Sequence, residues 1–428
     1  MSLTGTPLLW VLGVLTIGLP VLTILLWSRM SAHRPSAIVG RVTLLVASQL
    51  VGVMLIGAAV NDYAYLYGSW GELWSSATQP FQTRYPVTPL VPGNGQGAFP
   101  AAGVSRIRSV GPYGQPSRWA HTGRLESMRL DGATSQLGES AFVYLPPQYF
   151  QAAYRHTRFP GVEVFSGYPS TNRMLVQRLA FQRSMLREIN RHRVAPMVLV
   201  MLRPIVTFPR DTECTNVPSG PQAETFYAQD IPAAVAARYR VAPTGWGAVG
   251  VSTGGYCATK IAMSYPSLFT AAVSLSGYYH ALQDYTTGDL WGGSRTLRNL
   301  NSPEWRLRHQ PAPPVSLLLT SSKDEGGPLG YQDTLRFLRL VRRPLQVGTI
   351  ISAHGTHTFT TWQPEIPRSL RWLSARLYAH LPGSTTSSLP NGHFSVRRAG
   401  ADLRAGAPAR ATRAPSRSGG PRRPRASR

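Results

Sequence analysis

Lysine is almost absent from this chain of 428 residues. It occurs only as Lys260 and Lys323, although the formal net charge is +25, so arginine supplies nearly all of the positive charge. Such a strong preference for arginine over lysine is typical of genomic codon bias. It does not indicate a surface adapted to bind the phosphates of a nucleic acid. We therefore expect no nucleic-acid partner.

Cysteine is equally scarce, with Cys214 and Cys257 as the only two. In an oxidising compartment a lone pair predicts a disulfide. Two free buried thiols are the alternative, since free cysteine is itself commonly buried. Nothing in the sequence implies a metal or a cofactor, and we expect neither.

Charge is missing from two long apolar runs, residues 8–27 and 42–60. Each is long enough to cross about 30 Å of hydrocarbon as a helix. No lysine or arginine precedes the first run, which disfavours a secretory signal peptide, because such a peptide begins with a positive segment. A signal peptide followed by a buried core helix is the alternative. We predict a two-helix membrane anchor over residues 1–61.

The charges beside these runs predict an orientation. Arg29, Arg34 and Arg41 lie between the runs, whereas Asp62 follows the second. Because short cytoplasmic loops are rich in arginine and lysine, we expect the loop between the helices to be cytoplasmic. The chain would then be a cell-membrane protein with everything after Asp62 outside the cytoplasm.

Two further segments lack the apolar content of a packed domain. Residues 62–119 begin with interfacial tyrosine and tryptophan and continue as a segment dense in proline and glycine, which predicts a linker. Residues 383–428 carry almost no large apolar side chains and a single acid, which predicts a disordered tail. The arginines of this tail would suit contact with anionic envelope polymers.

Between these segments, residues 120–382 alternate strand-like apolar runs with helix-length stretches, as in WGAVGVS followed by TGGYCATKIAMSYP. Such alternation predicts one α/β domain with a mostly parallel sheet covered by helices on both faces. LESMRL and SAFVYLPPQYF, at its start, are expected to extend one edge of the sheet antiparallel.

The stretch GAVGVSTGG places Ser252 between Gly250 and Gly254, at a predicted strand-to-helix turn. This is the context of a nucleophile elbow, in which the serine stands on a sharp turn at the end of a buried strand. Side chains at the two glycine positions would have no room in such a turn. The context predicts an α/β-hydrolase fold with Ser252 as nucleophile.

A serine hydroxyl needs a base, and in this fold the order along the chain is serine, acid, histidine. ISAHGTHTFTTW offers His354 and His357. We prefer His357, because His354 still borders the last strand. VSLLLTSSKDEGG ends a strand with Asp324, our choice of acid, while Glu325 and Asp333 remain alternatives.

The oxyanion of the reaction needs two backbone N–H donors. One is expected from Thr253, the residue after the nucleophile, and the other from Gly167 or Tyr168 in the loop after an earlier strand. A bond from Cys214 to Cys257 would tie a loop to the helix that follows the nucleophile and stiffen one wall of the site.

GVSTGGYCATKIAMSYPSLFTAAVSLSGYY and GTHTFTTW resemble the esterase D-like family of α/β-hydrolases, which includes the antigen 85 mycolyltransferases and many actinobacterial esterases. The resemblance covers residues 124–380 and implies Ser252 as nucleophile and His357 as base. With the two membrane helices it suggests an actinobacterial cell-envelope protein. The mycolyltransferases place their glutamate inside the next helix, where this chain has Arg339, which favours a plainer esterase with Asp324.

The sequence thus predicts a serine esterase that acts at the outer membrane face on a small-molecule or lipid ester. One alternative is an acyltransferase that moves an acyl chain to an envelope sugar or lipid. The other is a non-catalytic protein of the same fold that binds the envelope.

Overall fold

Nine strands form one sheet in a computed structural model of the chain, which describes residue 3 and residues 6–30, 35–64, 66–67, 70–71, 73–74, 103–110 and 115–379. Most of the predicted linker and the whole predicted tail, 383–428, lie outside the described residues. The strands are β1 (Gly103–Ser109), β2 (Arg124–Asp131), β3 (Gly138–Leu145), β4 (Gly161–Phe165), β5 (Val198–Leu202), β6 (Trp246–Val251), β7 (Phe269–Leu275), β8 (Ser316–Ser322) and β9 (Gln346–Ser352).

The strand order is β1-β2-β3-β5-β4-β6-β7-β8-β9. The pairs from β5 to β9 are parallel, while β1, β2 and β3 join the same sheet antiparallel. Every residue of β4, β5 and β6 is buried, as expected for strands covered on both faces. The predicted α/β class and its antiparallel edge are confirmed.

Strand β1 corrects one boundary of the sequence analysis, because it lies inside the segment that we interpreted as a linker. Val104 pairs with Leu130 of β2, and Ile107 packs against the core. In GVSRIRS the two large apolar residues, Val104 and Ile107, are three positions apart, so the segment lacks the alternation typical of a strand, and its pairing register shifts between Ser105 and Arg108. The segment also follows a stretch dense in proline and glycine, which favours a linker. One face of an antiparallel sheet is commonly solvated, so charged residues are compatible with a strand at this edge.

Helices cover both faces of the sheet. One core cluster joins the sheet to residues such as Ile231 and Tyr256, and a second joins it to residues such as Met185 and Leu373. The helices are α1 (Thr6–Trp27), α2 (Pro35–Ala64), α3 (Trp119–Thr122), α4 (Arg173–Gln177), α5 (Phe181–Asn190), α6 (Ala223–Thr225), α7 (Ile231–Arg238), α8 (Thr253–Ser264), α9 (Arg295–Leu300), α10 (Pro303–His309), α11 (Tyr331–Leu338), α12 (Phe359–Trp362) and α13 (Ile366–Ala379). Short 3₁₀ segments lie at Pro116–Arg118, Pro147–Phe150, Ala152–Tyr154 and Gln363–Glu365, and a π-helical turn at Phe226–Asp230.

The connections leave a crevice beside the carboxyl ends of β4 and β6. Strand β4 lies next to β6 in the sheet, yet its own chain continues to β5 on the opposite side, whereas β6 continues to β7. Chains that leave neighbouring strands in opposite directions open a crevice, which is where ligands bind in open α/β sheets. The loop after β4 and the turn after β6 therefore face one another at the natural position of a site.

Helices α1 and α2 are long and apolar enough to be candidate membrane spans. The side chains of Val53 and Ile56 are each 67% exposed, so α2 is not packed as a buried core helix. It begins at Pro35, earlier than the predicted run at residue 42, and proline suits the first position of a helix because its fixed φ is already helical.

A disulfide joins Cys214 to Cys257, as the sequence analysis expected. Cys257 lies in α8, and Cys214 lies in the long loop after β5, so the bond fixes that loop against the helix. It closes a sequence separation of 43 residues. The chain-entropy account assigns a loop of this size about 4 kcal/mol of stabilisation.

We expect the double variant Cys214→Ser with Cys257→Ser to unfold at a lower temperature than the wild type, because its unfolded chain is less constrained. Thermal unfolding of the full chain in detergent, followed by near-ultraviolet circular dichroism, measures this. Dithiothreitol should lower the midpoint of the wild type and leave that of the double variant unchanged. If dithiothreitol frees both thiols of the wild type and its unfolding midpoint does not change, the expected stabilisation by the disulfide is contradicted.

Candidate active site

Ser252 lies between the end of β6 and the start of α8 with φ 56° and ψ −122°. A non-glycine residue at positive φ is uncommon, and it persists only where the surroundings impose it. Here the backbone N–H of Ser252 donates to the carbonyl of Leu275 on the neighbouring strand at 2.9 Å. The turn therefore has the backbone conformation of a strained elbow.

The two glycines around Ser252 are required by close packing. A Cβ on Gly250 would overlap the backbone carbonyl of Gly254, one turn later. A Cβ on Gly254 would lie 2.6 Å from the carbonyl oxygen of Phe165, at the end of β4. Contacts this short with backbone cannot be relieved by a side-chain movement, so both positions exclude any larger residue.

The loop after β4 approaches the serine closely. A Cβ placed on Gly167 would lie 3.2 Å from Cβ of Ser252, so the backbone of Gly167 is the immediate neighbour of that side chain. The adjacent Tyr168 directs its hydroxyl to the carbonyl of Pro209 at 3.0 Å. This contact anchors the loop that we expect to supply an oxyanion donor.

Thr253 opens helix α8, so its N–H has no acceptor within the helix and remains available to a ligand. Its hydroxyl donates to Asp211 at 3.2 Å. Asp211 is buried, and burial raises its pKa to about 7, although the N–H of Glu213 and the Thr253 hydroxyl act in the opposite direction. The side chain of Thr253 is thus held by Asp211.

His357 lies in the loop after β9, with its ring edge-on to Trp362 at 4.9 Å between centroids. Nδ1 of His357 is 3.4 Å from Oε1 of Glu325. No hydrogen bond joins His357 to the hydroxyl of Ser252 in the described part of the chain. Contacts of this kind often tighten only in the substrate complex.

Glu325 is 7% exposed and is held at its other oxygen, which accepts from the Ser321 hydroxyl at 2.9 Å and from the Ser322 N–H at 3.2 Å. Burial alone would raise the pKa of Glu325. Its contacts with His357, Ser276 and the two serines outweigh this and lower the pKa below its ordinary value. The carboxylate is therefore ionised beside His357.

Asp324, our first choice of acid, faces a different histidine. Its Oδ2 is 3.2 Å from Nδ1 of His354 and 3.2 Å from the N–H of Gly355. Both side chains are exposed. The structure thus pairs Asp324 with His354 and pairs the alternative acid, Glu325, with His357. The two acids are adjacent in one turn, so their side chains diverge, and only Glu325 is directed inward.

A further carboxyl group, that of Glu365, lies near Glu325. Glu365 is buried, and burial raises its pKa to about 7, with the negative charge of Glu325 adding to the shift and contacts with Thr320 and Ser352 opposing it. The Ser352 hydroxyl lies 3.4 Å from Oε1 of Glu365. Glu365 could not be recognised in the sequence, because a glutamate in PEIPRSLRW is typical of the first turn of a surface helix.

Lys260 is the second feature that the sequence analysis missed. It is buried within α8, and its ammonium donates to the carbonyls of Glu213 and Cys214 at 3.0 and 2.7 Å and to Asn301 at 2.8 Å. Burial lowers its pKa, while Glu224 at 3.5 Å raises it. The scarcity of lysine was the available signal, since a compact ammonium fits such a cluster of oxygens better than a planar guanidinium.

Among the described residues, one group could offer metal ligands: His280, Glu304 and Asp333 have ligand atoms within 4.8 Å of one another. Arg336 donates to Asp333 at 2.7 Å, and Arg308 pairs with Glu304. These guanidinium groups already balance the two carboxylates. These two ion pairs explain why the three side chains lie together without a metal ion.

The parallel sheet with an antiparallel edge, the glycine-flanked serine after a central strand and the histidine after the last strand together define an α/β-hydrolase. The chain belongs to the Esterase family, whose model matches residues 139–373, more than half of its length.

The Mycobacterium leprae protein named diacylglycerol acyltransferase/mycolyltransferase Ag85C is 32% identical over 114 residues, which are 23% of this chain and 32% of that protein. The chain therefore spans about a third of the length of this curated relative. An S-formylglutathione hydrolase from Agrobacterium tumefaciens matches in structure with a TM-score of 0.52 and 14% identity, covering 64% of this chain and 99% of that one. This likeness supports the fold.

The adjacent acids provide a matched pair of variants. We expect Glu325→Gln to lower kcat between about 10²- and 10⁴-fold, because a neutral amide no longer stabilises the charged imidazole. Asp324→Asn should change kcat by less than about tenfold, since its partner is the exposed His354. Steady-state hydrolysis of p-nitrophenyl butyrate measures both. A larger loss in Asp324→Asn than in Glu325→Gln would reverse the assignment.

Proposed function

We propose that this chain is a serine esterase with Ser252 as nucleophile, His357 as general base and Glu325 as the acid that orients the base. The observation that carries the proposal is the pairing of His357 with a buried, ionised Glu325, in a fold whose Ser252 stands on a strained elbow. Asp324, expected first from the sequence, becomes a residue of the loop that holds His357.

In the proposed mechanism, Oγ of Ser252 attacks the ester carbonyl while Nε2 of His357 accepts its proton. Nδ1 of His357 faces Glu325, and the carboxylate stabilises the imidazolium that forms. The N–H groups of Thr253 and of Gly167 or Tyr168 receive the negative oxygen of the tetrahedral intermediate. His357 then returns the proton to the leaving alcohol, and water releases the acid from the acyl-enzyme.

Transfer of the acyl group to a hydroxyl other than water is the second candidate. It is favoured by the Mycobacterium leprae relative, whose name includes acyltransferase and mycolyltransferase. The acyl-enzyme would be the same in both cases, and only the acceptor in the second step would differ. An envelope sugar or lipid is the acceptor that we propose for this alternative.

We further propose that α1 and α2 anchor the enzyme in the cell membrane with the catalytic domain, residues 120–382, outside the cytoplasm. Arg29, Arg34 and Arg41, which lie between the two apolar runs, support this orientation by the positive-inside rule. The disulfide between Cys214 and Cys257 supports it independently, because such bonds persist in oxidising compartments.

The first test uses the full chain in detergent with a fluorophosphonate probe and a series of p-nitrophenyl esters. We expect the wild type to be labelled and to turn over ester, and Ser252→Ala to lose both, because the probe bonds to the activated serine. Ser264→Ala, at the other end of α8, is the control and should behave as the wild type. If the wild type is folded but is not labelled, the esterase proposal fails, and the non-catalytic envelope-binding interpretation replaces it.

A further inference from the structure

The chain that leaves α2 folds back onto the catalytic domain. The ring of Tyr63 lies edge-on to Phe359 at 5.7 Å between centroids. Arg178 lies with its guanidinium 5.2 Å from the Tyr63 ring and donates to the carbonyl of Asp62 at 3.2 Å. The end of α2 is thus held by a ring contact, a cation–π contact and a hydrogen bond.

A second contact follows a few residues later. Asn61 clamps Tyr67 at both backbone groups, because its side chain accepts from the Tyr67 N–H at 2.8 Å and donates to the Tyr67 carbonyl at 3.1 Å. The ring of Tyr67 then lies edge-on to Phe208 at 5.6 Å. The clamp turns the chain sharply and presents this ring to the catalytic domain.

Both contacts fall on the rim of the proposed active site. Phe359 packs edge-on against Trp362 at 5.7 Å between centroids, and Trp362 in turn packs edge-on against the ring of His357. On the other side, Phe208 precedes Pro209, whose carbonyl accepts from Tyr168 of the predicted oxyanion loop. The anchor therefore touches the elements that hold the base and the elements that hold the oxyanion donor.

A cavity of about 400 Å³ lies between the ends of the two anchor helices, within the range of small-molecule sites. Leu8 and Leu12 line it from α1, Gly57 and Ala58 from α2, and Tyr67 from the segment beyond. None of its lining residues is charged, and its asparagine, Asn61, already binds Tyr67. Such a wall favours an apolar ligand, because a polar ligand would lose its hydrogen bonds to water without replacing them.

Tyr67 belongs both to this cavity and to the contact with Phe208, so one side chain borders the cavity and the rim of the active site. We propose that the cavity is an acyl-chain site: it holds the hydrocarbon chain of a membrane lipid ester at the rim, where the ester group is presented to Ser252. The proposal rests on the proposed esterase function. It makes the anchor a part of the substrate site as well as an attachment.

Gly57 and Gly52 form a matched pair for the test. Both lie in α2, and a Cβ at either position meets no atom within 4 Å, so a side chain can leave the backbone at both positions without a clash at Cβ. Gly57 lines the cavity, whereas Gly52 does not. Phenylalanine at position 57 would fill the proposed chain site, and phenylalanine at position 52 would leave it open.

We would compare the full-length wild type, Gly57→Phe and Gly52→Phe in phosphatidylcholine nanodiscs, with p-nitrophenyl butyrate and p-nitrophenyl palmitate as substrates. In Gly57→Phe, kcat/KM for the palmitate ester should fall roughly tenfold, and that for the butyrate ester should change less than about twofold, because only the long chain uses the remote site. Gly52→Phe should match the wild type with both esters. Ala58→Leu, a smaller filling of the same cavity, should shift the palmitate-to-butyrate ratio in the same direction.

A photoactivatable palmitic acid provides a readout apart from turnover. Its label should map to peptides of α1 and α2 in the wild type and in Gly52→Phe, and should diminish in Gly57→Phe. If labelling diminishes while the palmitate-to-butyrate ratio stays constant, the cavity holds only a structural lipid and the proposal is overturned. Equal ratios and equal labelling in all variants would overturn it as well. Failure of the proposed function is distinguishable, because the wild type would then neither cleave butyrate nor bind the fluorophosphonate.

Discussion

The close approach of helix α8 to the end of β4 is the constraint on which the rest of the site depends. Gly254 allows it, because any side chain there would meet the carbonyl of Phe165. The approach accompanies the sharp turn at Ser252 and brings Gly167 beside the serine, and the first N–H of α8 has no acceptor within the helix. The proposed nucleophile, the predicted oxyanion loop and the start of the helix thus meet at one packing contact.

Behind this contact, the long loop after β5 is held to α8 by two unlike interactions. One is the covalent disulfide at Cys257. The other is a set of hydrogen bonds that the ammonium of Lys260 donates to the carbonyls of Glu213 and Cys214. The same loop supplies Asp211, which fixes the side chain of Thr253. A wall of the site that belongs to no helix or strand is therefore fixed by a covalent bond and by several hydrogen bonds.

How much of this the sequence could predict differs from residue to residue. Ser252 and His357 could be predicted as nucleophile and base because their neighbours carry local signals, glycine spacing for one and the end of the last strand for the other. Asp324 and Glu325 could not be separated, because the direction of a side chain in a tight turn depends on what the turn packs against. The contacts of Tyr63 and Tyr67 with the rim were invisible, since they join residues far apart in the chain.

The ring contacts of Tyr63 with Phe359 and of Tyr67 with Phe208 hold the end of α2 against the catalytic domain. In a bilayer anchored through α1 and α2, as we propose, these contacts would restrict how far the domain can swing away from the lipid surface. The enzyme would then search for esters by lateral diffusion in two dimensions. Its rate would follow the number of ester molecules per unit area of surface, and dilution of the surface with inert lipid would slow it.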